Sequence, residues 1–85
     1  MAIAEVKTGM TSAANNMKQA HAELQTLREE IGKGIARVRS ATRGTTRDEV
    51  DQAIAVWQRA HSELDHAGRA ITTGVDHAET YAARI

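Results

Sequence analysis

Three kinds of residue are missing or nearly so. The 85-residue chain has no cysteine, no proline and no phenylalanine, and its only large aromatics are Trp57 and Tyr81. Without cysteine, neither a disulfide nor a thiolate-bound metal can staple so short a domain. Without proline, nothing forbids long unbroken helices. A composition rich in Ala, Arg and Glu and poor in aromatics suits long helices and suits a sheet poorly. No apolar run approaches the length of a membrane span. The opening "MAIAEVKTGM" places Glu5 and Lys7 where a cleaved signal peptide needs an apolar core.

The charge balance is even in total, with eleven basic and eleven acidic residues, but uneven along the chain. From Asp48 onward seven acids face Arg59, Arg69 and Arg84, a net of −4, whereas residues 39–47 carry +3 and residues 1–38 carry +1. A basic partner-seeking surface is therefore confined to the middle of the chain, around "VRSATRGTTRDEV".

What is present in quantity is a seven-residue apolar repeat. One ladder reads Ile3, Met10, Met17, Leu24, Ile31, Val38, with a companion row Val6, Ala13, Ala20, Leu27, Gly34. A second reads Val50, Trp57, Leu64, Ile71, Ala78, Ile85, with Ala53, Ala60, Ala67, Gly74, Tyr81 beside it. Spacings of three and four sustained over five heptads specify helices with coiled-coil-like seams. The expected fold is all-α: one antiparallel hairpin with helices over about 3–39 and 47–85 and a turn over about 40–46. That pairing brings Leu24 near Leu64, Met17 near Ile71 and His21 near His66. "GKG" at 32–34 lowers helix propensity and is a candidate fray or kink.

The basic middle stretch has a structural account. Thr46 and Glu49 have capping-box spacing. Asp48 and Asp51 suit the start of a helix, and Arg37 and Arg39 suit the end of one. Gly44 permits a left-handed turn. The competing reading, a nucleic-acid-binding tip made of Arg37, Arg39, Arg43 and Arg47, lacks the interleaved aromatics that a stacking platform uses.

Apolar residues outnumber what one hairpin seam requires. Ala14 and Ile35 flank the first ladder, and Ile54, Val56, Val75 and Ala82 flank the second. Together with Trp57 they suggest a second seam that buries against another hairpin, completing a four-helix bundle. The residues expected to meet that partner are Ile35, Ile54, Val56, Trp57, Leu64, Ile71, Val75 and Tyr81.

No chemistry of catalysis stands out. Ser12, Ser40 and Ser62 have no activating arrangement, and no phosphate loop or converging carboxylate pair is evident. His21, His61 and His66 are the only candidates for a weak metal or pH-sensitive site, but the spacing of a zinc motif is missing. The expectation is a non-enzymatic module with no cofactor and no small-molecule substrate.

"VDQAIAVWQRAHSELDHAGRAITTGVDHAETY" resembles the second helix of the Trp-x-Gly family, small helical hairpins exported by type VII secretion systems. The features that match are an Ala-rich start, Trp57 one heptad in, evenly spaced Leu64 and Ile71, and the late Tyr81. The family's turn carries a Trp two residues before the Gly; here the turn reads "TRGTT" around Gly44. The family's export signal is a Tyr followed four residues later by an acid, and here Ile85 follows Tyr81 at that spacing. The resemblance implies a targeting or chaperone-like partner that starts in the cytoplasm and leaves with a companion bearing the signal, such as the helical N-terminal domain of a toxin. It leaves pairing with itself open as well.

Overall fold

In a computed structural model, residues 2–44 and 47–85 are described, and they form two helices: α1, Ile3–Ala41, and α2, Asp48–Arg84. At 39 and 37 residues the helices are close to equal in length, and they lie side by side as a rod of 64 × 16 × 15 Å. The expected all-α hairpin is what the chain forms, with each helix boundary within two residues of the reading above. α1 continues through Gly32 and Gly34 without a break. Neighbouring turns of good helix formers outweigh the propensity cost of about 1 kcal/mol per glycine.

The termini of the helices follow from backbone chemistry. Thr42 closes α1 by donating both its N–H (3.0 Å) and its hydroxyl (2.6 Å) to the Val38 carbonyl. Gly44 then takes φ +80°, a left-handed conformation that costs glycine little. α2 begins after Arg47, whose extended backbone offers its carbonyl to the N–H groups of Val50 and Asp51. Asp48, Glu49 and Asp51 occupy the first turn, opposite in sign to the positive end of the helix dipole. Thr46, the other half of the expected capping box, lies outside the described residues.

The seam differs from expectation by one residue. The ladders Met10–Leu24–Ile31–Val38 and Val50–Leu64–Ile71–Ala78 are half-buried, as heptad rows should be. The companion rows that are buried most deeply, however, are those four positions on rather than three. In α1 these are Ala14, His21, Arg28, Ile35 and Thr42; in α2 they are Ile54, His61, Gly68, Val75 and Ala82. All ten are buried or half-buried, whereas in the expected rows Val6, Ala20, Gly34, Ala53 and Ala60 are half-buried and Ala13, Leu27, Ala67, Gly74 and Tyr81 are exposed. The physical reason is side-chain size. Burying Ile35, Ile54 and Val75 removes far more apolar area from water than burying Gly34, Ala53 and Gly74, at about 25 cal/mol per Å².

The register is also displaced, by about one turn. Leu24 and His21 pack at Gly68 rather than at Leu64 and His66, and the cross-helix ion pairs join Arg28 to Asp65 and Lys18 to Glu79. The resulting core is thin. Among the described residues only Ala14, Ile35, Val75 and Ala82 are buried apolar side chains, at 3, 8, 7 and 7 % exposure, and no large side chain is fully enclosed.

Candidate interaction face

Because the buried rows sit on one side of each ladder, the two broad faces of the hairpin differ in character. On one face, His21, Gln25, Arg28, Asp65, Arg69 and Thr72 line an open polar groove over Gly68. Asp65 is bracketed there by Arg28 and Arg69, each at 3.2 Å. Toward the open end of the hairpin, Lys18 reaches Glu79 at 3.0 Å across the helices. These partly exposed pairs contribute little stability, of the order of 0–1 kcal/mol each. Of the polar members of the buried rows only Arg28 takes part in them, and its Nε finds no hydrogen-bond partner among the described residues.

The other face is apolar. Ile31, Gly34, Val38, Trp57 and Ala60 line a groove of about 370 Å³, with Arg37 at its rim. Gly34 and Ala60 belong to the two rows that the sequence reading assigned to the seam, so those rows now border this outward groove. Trp57 stands 40 % exposed beside it. Leu27 and Tyr81, from the same two rows, are about half exposed, as is Met17 from the leading ladder of α1.

The residues expected to meet a partner thus fall into three groups. Val56, Trp57 and Tyr81 are exposed. Ile54, Leu64 and Ile71 are half-buried along the seam. Ile35 and Val75 belong to the hairpin's own core, which leaves little of either for a second protein. Leu27 and Met17, overlooked in the sequence, join the exposed group. Their heptad positions looked like seam positions, and only the side on which the seam falls reveals them.

The four arginines near the bend do not share one patch. Arg37 borders the apolar groove, while Arg39 lines a different groove with Thr42, Asp51 and Ile54, where an acid accompanies it. Arg43 is in the turn and Arg47 precedes α2. His21 rests against Gly68, and His66 is exposed. Among the described residues, no three His, Asp or Glu side chains converge as metal ligands, and no helix is long and apolar enough to cross a membrane.

Compared with known protein families, with characterised proteins and with solved structures, the chain shows no match.

Proposed function

We propose that this chain is a non-enzymatic interaction module, a helical hairpin whose Trp57 face takes another helical hairpin to complete a four-helix bundle. The observation that carries the reading is the contrast between the faces. Among the described residues the hairpin buries four small or medium apolar side chains, while Trp57 stays 40 % exposed beside an apolar groove and Leu27, Met17 and Tyr81 are about half exposed elsewhere along the rod. A large side chain left exposed beside an apolar groove marks an interaction site, and a thin two-helix core gains most from being covered.

Within that reading, the role is a targeting or escort partner in type VII export. Two features support it: the likeness of α2 to the second helix of Trp-x-Gly proteins, and a hairpin of matching proportions. The absence of Trp before Gly44 and of an acid four residues after Tyr81 favours a chain that accompanies a signal-bearing companion. A nucleic-acid adaptor is less well supported, since Arg37 and Arg39 line different grooves and Asp51 shares the second.

The test is thermal unfolding of the wild-type chain and of Trp57→Ala, alone and mixed with a candidate hairpin. The module reading expects weak cooperativity alone, a sharper and higher transition on pairing, and loss of that gain in Trp57→Ala. A chain that melts sharply as a monomer, with Trp57→Ala indistinguishable from it, would refute the reading.

A further inference from the structure

We infer that the polar groove over Gly68 is a binding site for a small carboxylate, held between Arg28 and Arg69. The site lies on the face opposite Trp57, and it stands whether or not a second protein covers that one.

The charge arrangement in the groove is incomplete. Arg28 of α1 and Arg69 of α2 both pair with Asp65 through Nη2 at 3.2 Å, one on each carboxylate oxygen. Two positive charges and one negative leave the three groups at +1. Among the described residues that line the groove, Asp65 is the one acid. Glu79 and Asp76 border the neighbouring groove toward the open end, where Lys18 holds Glu79. Each guanidinium has several N–H donors and gives only one of its nitrogens to Asp65. Arg28 Nε is shielded from solvent and has no hydrogen-bond partner among the described residues. A charged donor left unpaired in that way is costly. The cluster is short of one acceptor.

The groove has the size and lining to supply it. Its volume is about 360 Å³, near the lower end of the range for small-molecule sites. Gly68 lies beneath it and adds no side chain to fill it. Gln25 and Thr73 border the space, and each can both donate and accept. Thr72 donates its hydroxyl to the Gly68 carbonyl at 3.1 Å, so its oxygen is left as an acceptor.

Charge selects the ligand class. A guanidinium matches the planar, two-oxygen geometry of a carboxylate. One carboxylate would close the open chain Arg28, Asp65, Arg69 into a ring of alternating sign with no net charge. A doubly charged anion would leave an excess negative charge next to Asp65. A cation would meet two guanidiniums, and an apolar ligand would strip them of water without replacing it.

The experiment is a two-dimensional NMR titration of the ¹⁵N-labelled chain, following backbone amides and arginine Nε–H signals. Sodium acetate or sodium sulfate replaces sodium chloride at constant ionic strength, so that general screening cancels. Acetate should give saturable shifts at Arg28 Nε–H and at the amides around Gly68, with a dissociation constant of roughly millimolar size. Sulfate should bind more weakly. Arg69→Gln should weaken acetate about fivefold or more by removing a charged donor. Lys33→Gln, which removes a cation paired with Glu30 rather than with Asp65, should leave the affinity unchanged. Asp65→Asn raises the local charge from +1 to +2 and should reverse the preference toward sulfate. A cluster with a purely structural role gives no such reversal. Shifts that rise without saturation, or that Arg69→Gln and Lys33→Gln diminish equally, would mean an adventitious ion only and would sink the site. Sulfate binding more tightly than acetate to the wild type would overturn the carboxylate class. Trp57→Ala should bind acetate as the wild type does, so the fate of the proposed hairpin pairing is read separately.

Discussion

Gly68 offers the strictest test of the helix packing. It is the one buried glycine, facing α1 where His21 and Leu24 cross it, and intuition says that no side chain fits there. The distances say otherwise. A Cβ at Gly68 would lie 3.5 Å and 3.6 Å from the His21 ring and 3.7 Å from Leu24 Cδ2, which is ordinary van der Waals contact. Its φ does not fall in the left-handed region, so the backbone accepts alanine. Gly68→Ala should then gain about 0.8–1.0 kcal/mol of helix propensity. The added methyl is largely removed from water, so the total gain should exceed that figure, by up to about 0.8 kcal/mol. For a domain of this size, each kcal/mol raises the melting temperature by about 4–8 °C. The assay is circular dichroism during thermal or urea unfolding at one fixed chain concentration, because association shifts apparent stability. Gly32→Ala is the control, since nothing lies within 4 Å of a Cβ there and only propensity should change. Gly68→Ala should match or exceed it. A loss of about 1 kcal/mol or more at Gly68, with the usual gain at Gly32, would mean that the helices approach more closely there than described, and the register would have to be redrawn.

Other substitutions probe the seam, the faces and the turn. Ile35→Ala should cost about 2–4 kcal/mol by opening a cavity in the core, whereas Val56→Ala, 57 % exposed, should change unfolding by less than about 0.5 kcal/mol; equal effects in urea titrations would put the seam on the wrong rows. Asp65→Asn removes the acceptor shared by Arg28 and Arg69, and because all three side chains are partly exposed the loss should stay below about 1 kcal/mol and shrink further in high salt. Gly44→Ala forces a Cβ into a left-handed turn and should cost about 1 kcal/mol, measurable as a lower urea midpoint at unchanged slope.

The fold was legible because period and length are properties of the chain alone. Ladders running from Ile3 to Val38 and from Val50 to Ile85 leave no room for anything but two long helices, and Gly44 marks where they part. The side of each ladder that turns inward was not legible. A heptad ladder has apolar neighbours at both three and four positions on, and the row three on, with Ala, Gly, Leu27 and Tyr81, is the less polar of the two. The row four on contains His21, Arg28 and His61 and looks unfit for burial. Its fitness depends on Arg28 meeting Asp65 on the other helix and on Gly68 making room for His21, and neither contact exists until the register is known. A one-turn error in register thus concealed both facts at once.

That same choice of side decides which residues remain for a partner. Had the hairpin closed on Leu27, Ala60 and Tyr81, its outer face would have shown Ile35, Ile54 and Val75, and the groove beside Trp57 would not exist. By burying the row that mixes branched aliphatics with polar residues, the chain sets Arg28 against Asp65 across the helices. The row left outside combines small residues with a few large ones. Small residues let a second helix approach, and large ones supply most of the area such an approach would bury. On the proposed reading, a seam chosen for its own packing leaves the opposite rows for docking, and the apparent excess of apolar residues would be divided between two interfaces. On this argument, mutations in the row four on should act on the folding of the hairpin, and mutations in the row three on should act on association.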